Sequence, residues 1–327
     1  MNSNGIPIHP YLKPWYRIAQ DEERLILEYG QAVVVFEGRA VQRLLPALLP
    51  LLDGTRTIDE ITVSLGHAIE PAIQKALSTM SERGLLVEGP PLNGETPAPF
   101  RETAHFLAAS TSARPVSEIQ ASLERARIGI AGNGVTAEEL ARLLRRSGIG
   151  QLRRISEEDD HGDLGKLDLL IVVPRSADLA RVAGWNRRAL STGVAWLQVL
   201  PFDGKFAAIG PLFLPGETCC HECFRRRRLA NLDYAEEVPA LELAPAAYPE
   251  TPSVGAAIAG VAATLALRWL AYGDRAIPGT FYALEYPVTL KLSAHRVYRV
   301  PRCPVCSEVE NVSSPLPWYK EVRVASR

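Results

Sequence analysis

The chain is 327 residues long, and 47% of its residues are hydrophobic while 22% are charged. This composition excludes a disordered or fibrous protein, and the length is enough for two domains of ordinary size. The formal net charge of −1 provides no global field that would draw the chain to nucleic acid or to a lipid surface.

The first block of the chain begins with extended segments. Runs rich in β-branched and aromatic residues predict strands, and Gly30-Gln31 between the last two is typical of a tight turn. The predicted strands cover residues 15–18, 24–29 and 32–36. If the third of these strands lies at a sheet edge, its unpaired backbone groups can accept another strand. The alternative is an edge that is paired within a purely structural appendage.

Helical periodicity follows from Arg39 to the Asp53-Gly54-Thr55 turn. The pattern from Thr57 to Glu60 predicts a capping box and a second helix. Glu70-Pro71 begins a third helix, whose inward face is predicted to hold Ile73, Leu77 and Met80. Gly84 ends this helix before a short strand at residues 85–87. Together these elements predict a winged-helix-like domain over residues 1–90.

A composition rich in proline and glycine marks residues 90–99 as a linker. We assign residues 91–124 to a linker and connecting segment, because the pattern from 100 to 124 is ambiguous and compatible with a connecting helix. The second domain then covers residues 125–327.

An alternation of strands and helices defines the second domain. The strands at 127–131, 152–155, 167–173 and 194–200 alternate with helices, which predicts an α/β fold with a doubly wound, Rossmann-type parallel sheet. Residues 205–214 are predicted as a further strand, and 280–285 with 289–300 as a terminal antiparallel pair. The apolar stretch 254–270 contains Arg268 and is short for a membrane span, so we interpret it as a buried helix. With no signal-peptide pattern at Met1, a cytoplasmic protein without membrane association is expected.

Four of the five cysteines form two Cys-x-x-Cys doublets, Cys220/Cys223 and Cys303/Cys306. Two such turns supply the four thiolates of a tetrahedral structural Zn²⁺ site, which leaves no open position for catalysis. Core cysteines or a redox doublet are the alternatives. Cys219 is an alternative to Cys220 as the first ligand, although the spacing favours Cys220.

A glycine turn follows the first strand of the second domain. Gly132 and Gly134 precede a helix, which is the context of a dinucleotide-type phosphate cradle. The next strand ends at Arg154-Ile155-Ser156 without the acidic residue that would hold a ribose. We therefore favour an architectural turn, a vestigial nucleotide loop, and do not expect ATP as a cofactor.

Other motifs are weak. The Asp159-Asp160-His161 group lies in a polar loop, where solvated residues are the default. The basic run from Arg225 to Arg228 is typical of a solvated helix face, with a polyanion site as the alternative.

Three segments identify a resemblance to a family. Residues 9–17, 48–55 and 301–306 resemble the leader-peptide-binding E1-like (ThiF-like) proteins of thiazole/oxazole-modified microcin (TOMM) biosynthesis, a class of ribosomally made, modified peptides (RiPPs). That family joins a winged-helix RiPP recognition element to a degenerate E1-like body with a structural zinc. The resemblance implies a non-catalytic scaffold. The precursor leader peptide would bind as an added strand against the third strand and the third helix, at the residues Val33, Val34, Val35, Phe36, Ile73, Lys75, Ala76 and Thr79.

The resemblance also implies partners. The body would dock a YcaO-type ATP-dependent cyclodehydratase, with a flavin-dependent azoline dehydrogenase and a second copy of the chain as further partners. Adenylating members of the superfamily carry acidic residues after the second strand and near the fourth. Here Ser156 and Pro174-Arg175-Ser176 stand at those places, and Asp168 begins a strand. An ATP-dependent adenylating enzyme is the alternative function. A winged-helix DNA-binding regulator is disfavoured, because Lys75 and Arg83 are the only cations of the third helix.

Overall fold

The computed structural model describes residues 5–21, 23–89, 96–111, 114–157, 161–243, 251–286 and 290–307. Residues 90–95 of the predicted linker, Asp159 and Asp160 of the acidic loop, and Thr289 lie outside the described residues.

The N-terminal unit, residues 5–89, contains five strands and four α-helices. They are β1 (Pro10–Leu12), β2 (Arg17–Gln20), β3 (Arg24–Tyr29), β4 (Ala32–Glu37), α1 (Arg39–Arg43), α2 (Leu45–Leu48), α3 (Ile58–Leu65), α4 (Glu70–Glu82) and β5 (Leu86–Glu88). A 3₁₀ helix at Leu49–Leu51 follows α2 and another at His67–Ile69 precedes α4. Strand β1 was not expected, and the single helix expected after Arg39 is divided into α1, α2 and a 3₁₀ helix; the other bounds lie within a few residues of those expected from the sequence.

Strands β2, β3 and β4 form an antiparallel sheet in that order, so β4 lies at an edge. The β3–β4 hairpin turns at Gly30, whose φ of 60° is in the left-handed region. Leu25 and Leu27 of β3 are fully buried and anchor the sheet on the core of the unit. The short β1 pairs with β5 in a separate two-stranded sheet, a pairing not expected from the sequence.

Helices α3 and α4 show the capping box and the buried face that the sequence predicted. The Thr57 side chain accepts a hydrogen bond from the Glu60 N–H, and the Glu60 carboxylate accepts one from the Thr57 N–H, which completes the capping box. Helix α4 buries its predicted face, formed by Ile73, Leu77 and Met80.

Two helices follow the N-terminal unit, and the remaining elements build the body of the protein, residues 125–307. These elements are α5 (Ala98–Thr111), α6 (Val116–Arg125), β6 (Arg127–Gly132), α7 (Val135–Arg146), β7 (Gln151–Ile155), α8 (His161–Leu164), β8 (Leu169–Val173), α9 (Val182–Thr192), β9 (Trp196–Val199), β10 (Phe206–Phe213), α10 (His221–Leu229), α11 (Val238–Leu243), α12 (Pro252–Tyr272), β11 (Thr280–Glu285) and β12 (Lys291–Arg296). A 3₁₀ helix at Ser176–Arg181 leads into α9.

The body contains a seven-stranded sheet in the order β12-β11-β10-β9-β8-β6-β7. Strands β9, β8, β6 and β7 are parallel, whereas β10, β11 and β12 continue the sheet antiparallel. The expected parallel sheet is therefore one part of a mixed sheet. Side chains of β8 alternate between two apolar clusters, with Leu169 and Ile171 on one face and Leu170 and Val172 on the other, so both faces of the sheet are covered.

Helix α12 is long and apolar enough to cross a membrane, with a mean hydropathy of 1.7 over its most apolar window, half of which is buried inside the molecule. Its buried residues, among them Ile258 and Ala262, belong to the same apolar cluster as Leu140 of α7 and Ile130 of β6. Packing within the protein accounts for the apolar character of this helix.

Candidate functional site

Four cysteines meet where the start of α10 faces the turn that follows β12. Cys220 is the N-cap residue of α10 and Cys223 lies in its first turn. The Sγ–Sγ distances are 3.9 Å from Cys220 to Cys223, 3.8 Å from Cys220 to Cys303 and 3.6 Å from Cys223 to Cys306. All four sulfurs lie within 4.8 Å of one another, so the sequence prediction that these side chains form one cluster is confirmed.

The spacing of the sulfurs fits a metal ion. A tetrahedral ion with metal–sulfur bonds of about 2.3 Å places its ligand sulfurs about 3.8 Å apart. Three of the four side chains are buried and Cys306 is half-buried, so the centre of the cluster is shielded from water. Cys219 is buried outside this group, which identifies Cys220 as the fourth member. The cluster is compatible with a closed, structural metal site.

Hydrogen bonds within the cluster favour the thiolate form of Cys223. The Cys220 thiol donates a hydrogen bond to Cys223, which lowers the pKa of Cys223 to about 4 and raises the pKa of Cys220. The backbone N–H of Val300 also donates to the Cys223 sulfur at 3.3 Å. By contrast, burial raises the pKa of Cys219 to about 12. Because the thiolate is the form that binds metals, the hydrogen bonds to its sulfur favour Cys223 as a metal ligand.

Buried polar side chains hold the first cysteine turn in place. The Asn186 side-chain oxygen accepts a hydrogen bond from the His221 N–H at 3.0 Å, and the His221 ring contacts the Gln198 amide oxygen at 2.8 Å. Asn186 is 2% exposed and Gln198 is fully buried. The sequence analysis missed both, because one lies in α9 and the other in β9, and nothing local marks them as neighbours of the cysteines.

The basic run on α10 is occupied by contacts within the protein. Arg225 and Arg226 form ion pairs with Glu222, and Arg228 forms one with Asp203. Arg227 donates to the carbonyl oxygens of Tyr298 and Arg299, the segment that leads to the second cysteine doublet. These contacts favour a structural role for the run over a polyanion site.

The glycine turn lies at the carboxyl end of β6, where the order of the parallel strands reverses between β6 and β8. Gly132 has a φ of 132°, and a Cβ there would overlap the carbonyl oxygen of Val173 at the end of β8. Gly134, with a φ of 92°, is the N-cap residue of α7. Arg154 donates to the Gly132 carbonyl oxygen at 3.0 Å. The close approach of β6 and β8 is by itself sufficient to require glycine at position 132. This glycine is therefore explained without a bound nucleotide.

Charged groups near this turn are paired with each other. Asp178, which the sequence analysis did not single out, forms ion pairs with Arg175 and Arg181, and Arg181 also lies 3.8 Å from Glu157. Asp168 lies at the opposite end of the sheet, where its carboxylate accepts a hydrogen bond from the Arg127 N–H. Nothing local in the sequence marks Asp178, which lies in the 3₁₀ helix that follows β8.

Strand β4 presents two different faces. Val34 and Phe36 are half-buried against the core of the N-terminal unit, whereas Val33 and Val35 are 57% and 46% exposed. On α4, three of the residues implied by the family resemblance remain accessible, namely Lys75, which is exposed, and Ala76 and Thr79, which are half-buried. Ile73 is fully buried and supports the core from within.

No protein-family model and no curated protein matches the chain. Solved structures do. The heterocyclase TruD is 25% identical, with a TM-score of 0.69 over 92% of this chain and 43% of TruD. A heterocyclase in complex with substrate and cofactor is 24% identical, with a TM-score of 0.67 over 91% of this chain and 39% of that one. The chain thus spans less than half the length of both heterocyclases.

A third similar structure is smaller. MccB from Escherichia coli, in complex with AMPCPP and MccA, is 15% identical and has a TM-score of 0.64 over 91% of this chain and 99% of MccB. MccB is the microcin C7 biosynthetic enzyme. The chain therefore has an α/β fold similar to the E1-like proteins of modified-peptide biosynthesis. The expected resemblance is confirmed at the level of the fold.

Proposed function

We propose that this chain is a non-catalytic scaffold of azole-forming RiPP biosynthesis, which binds a precursor leader peptide and delivers it to a YcaO-type ATP-dependent cyclodehydratase. In this proposal residues 1–90 form a winged-helix-like recognition element, residues 91–124 connect it, and residues 125–327 form a degenerate Rossmann-type E1-like body. The five free cysteines are in keeping with a cytoplasmic location.

The open edge of β4 is the observation that supports peptide binding. A two-residue hairpin turn is closed by a hydrogen-bonded pair, here Tyr29 and Ala32, and hydrogen-bonded pairs then alternate along the ladder. The N–H and C=O groups of Val33 and Val35 therefore point away from β3. An extended peptide can add to these groups as a fourth strand. Lys75, Ala76 and Thr79 of α4 would provide the facing wall, and Ile73 would position that wall from the core.

We propose Zn²⁺ as the ion of the four-cysteine cluster. Tetrahedral four-thiolate sites hold zinc or iron–sulfur centres, and a closed site with two Cys-x-x-Cys turns is typical of structural zinc. The ion would join α10 to the turn after β12, far along the chain from the peptide-binding edge. Its role would be to hold the body together.

Ring formation itself is assigned to the partner. The chain matches 43% of the length of the heterocyclase TruD. In this proposal the chain takes the role of that matching part and acts together with a separate YcaO-type protein. A flavin-dependent azoline dehydrogenase and a second copy of the chain, joined through the E1-like body, are the further partners proposed.

The test uses the full chain and the short Cys/Ser/Thr-rich peptide encoded beside a YcaO gene. A fluorescein-labelled leader should raise its anisotropy with a dissociation constant of about 1 μM or below, a range common for strand addition with a few side-chain contacts. Addition of the chain should also accelerate cyclodehydration by the YcaO protein. A leader that does not bind at concentrations of roughly 100 μM would exclude the scaffold role.

An adenylating enzyme is the second candidate. The match to 99% of MccB and the position of Gly132 and Gly134 at the strand-order reversal favour it. The paired state of Asp178 and Glu157, and Arg154 beside the glycine turn, speak against a ready site for a ribose and a metal-bound triphosphate. ATP–pyrophosphate exchange in the presence of the leader peptide decides between the two: exchange above background would establish adenylation.

A further inference from the structure

A cavity of about 870 Å³ lies between the N-terminal unit and α5. One wall comes from the segment between β1 and β2 together with the tip of the β3–β4 hairpin, and the other comes from one face of α5. We call it the aromatic cleft and define it by Lys13, Trp15, Tyr29, Arg101, His105 and Phe106. None of these residues belongs to the cysteine cluster or to the glycine turn.

Aromatic rings give the cleft its shape. Trp15 and Tyr29 lie with their ring centroids 6.1 Å apart, and the Tyr11 ring stands edge-on to the His105 ring at 5.9 Å. Phe106 is 59% exposed although its neighbours on α5, Leu107 and Ala108, are buried. Aromatic faces arranged in this way offer a large apolar contact area at a low cost in side-chain entropy.

The charges in the cleft are not balanced. Lys13 is half-buried, and the one acceptor it has in the described part of the chain is the Ala109 carbonyl oxygen at 3.5 Å. Arg101 donates to the Thr96 carbonyl oxygen at 3.4 Å, and no carboxylate among the described residues lies within ion-pair distance of either cation. Among the residues that the structure describes, Glu102 is the single acidic one that lines the cleft. Burial lowers the pKa of Lys13, because the ammonium has lost part of its water without gaining an anion.

His105 adds a polar group without a partner. Its Nε2 atom is buried and forms no hydrogen bond within the described residues. Burial and, to a smaller extent, the Arg101 charge lower the pKa of His105, so the ring is neutral near pH 7. A neutral imidazole in a partly dry cavity needs a polar partner, and a bound ligand can supply one.

We propose that the aromatic cleft is a second anchoring site for the leader peptide. The cleft would bind an apolar side chain of the peptide and the aspartate or glutamate that follows it. The apolar side chain would pack between Trp15 and Phe106 while the carboxylate pairs with Lys13. Two cations against one carboxylate disfavour a cationic ligand, although aromatic cavities otherwise suit one. This proposal rests on the proposed peptide-binding function.

The position of the cleft supports the same peptide as its occupant. Tyr29 lines the cleft and lies opposite Ala32, the first residue of β4. A peptide strand paired with β4 that continues past Ala32, at about 3.3 Å per residue, and bends across the tip of the hairpin would be directed toward the cleft. The two sites would thereby fix both the register and the direction of the peptide.

The test uses short probes that need no pairing with β4. The probe is the tetrapeptide acetyl-Gly-(4-fluoro-Phe)-Asp-Gly-amide, and its matched controls carry Asn or Lys in place of Asp. Binding to the full chain is measured by ¹⁹F NMR. The Asp probe should bind about fivefold more tightly than the Asn probe, the effect of a partly exposed ion pair worth about 1 kcal/mol. The Lys probe should bind more weakly than both.

Variants locate the probe. Lys13→Gln should abolish the preference for Asp over Asn, whereas Lys205→Gln, at an exposed lysine outside the cleft, should leave it unchanged. Phe106→Ser should weaken the binding of both probes. Because the Phe106 side chain is exposed, we do not expect this substitution to unfold the protein. Equal affinity for the Asp and Asn probes, or a preference that survives Lys13→Gln, would overturn the proposal. Either result leaves leader binding at β4 intact, which a separate titration of the leader measures.

Discussion

Val35 of β4 lies directly opposite Ile26 of β3, on the face of the hairpin sheet that is turned away from the core. Its N–H points to the open edge, so Val35→Pro removes one donor for an added strand without breaking the β3–β4 ladder. We expect the affinity for the leader peptide to fall about tenfold, the effect of roughly one hydrogen bond and a locally altered strand. Fluorescence anisotropy with the full chain measures it.

The control for Val35→Pro is Ile18→Pro on the opposite edge of the same sheet. Ile18 lies opposite Leu27, its N–H also points outward, and its exposure of 47% matches the 46% of Val35. If β4 is the binding edge, Ile18→Pro leaves leader affinity unchanged while both variants show similar melting temperatures. Equal losses of affinity in the two variants would contradict strand addition at β4.

Replacement of Cys303 by alanine removes one ligand from the proposed zinc site. We expect the purified variant to lose its metal and to be destabilised by on the order of 4 kcal/mol, because the ion joins two segments far apart in the chain. Leader binding to the N-terminal unit should persist below the lowered melting temperature. Elemental analysis by mass spectrometry and thermal unfolding are the measurements.

Cys219→Ala is the matched control for this cysteine variant. Cys219 is buried beside the cluster but contributes no sulfur to it. The variant should keep one zinc ion per chain and lose only the small stability that follows from removal of a buried thiol. Metal loss in Cys219→Ala with metal retained in Cys303→Ala would show that the ligand set is wrong.

Local patterns in the sequence predicted much of the fold. The hairpin at Gly30, the capping box at Thr57 and the buried face of α4 depend on neighbours within a few residues, and each lies where it was expected. The two cysteine doublets were also predicted to meet, because two Cys-x-x-Cys spacings together supply the four thiolates of one metal site.

Contacts between distant segments could not be predicted in the same way. The pairing of β1 with β5 joins residues such as Tyr11 and Val87, and a three-residue strand carries too short a pattern to be recognised. The aromatic cleft depends on how α5 lies against the N-terminal unit, and the sequence of α5 was ambiguous even as a helix. Asn186 reaches His221 from another element, so its position beside the cysteine cluster follows only from tertiary packing.

Gly132→Ala tests whether the glycine turn is architectural. A Cβ at this position would overlap the Val173 carbonyl oxygen, and the φ of 132° is unfavourable for alanine. We expect a loss of more than about 2 kcal/mol in the free energy of unfolding. Gly260→Ala is the control, because Gly260 lies within α12 with open space around its Cβ position, and alanine there should stabilise by about 0.5–1 kcal/mol. Chemical denaturation measures the free energy of unfolding of both variants. If Gly132→Ala is as stable as the wild type, the structural explanation for this glycine is wrong.

The pH dependence of stability tests the environment of His105. Burial, and then the Arg101 charge, lower the pKa of His105 in the folded protein below its ordinary value of 6.5. Above pH 6.5 the ring is neutral in both states and contributes nothing. Below it, the unfolded chain binds a proton that the folded chain does not, so the free energy of unfolding falls as the pH decreases.

The comparison is between the wild type and His105→Asn, because every other titratable group is common to the two proteins. Tyr11 and Lys13 share the cleft; burial raises the pKa of Tyr11 and lowers the pKa of Lys13, and both residues are retained in His105→Asn. Urea denaturation between about pH 8 and pH 5.5, on either side of the ordinary histidine pKa, should show a smaller loss of stability in His105→Asn than in the wild type. Equal losses would mean that the His105 ring accepts its proton in the folded protein as readily as in the unfolded chain, and that the cleft around it is open to water.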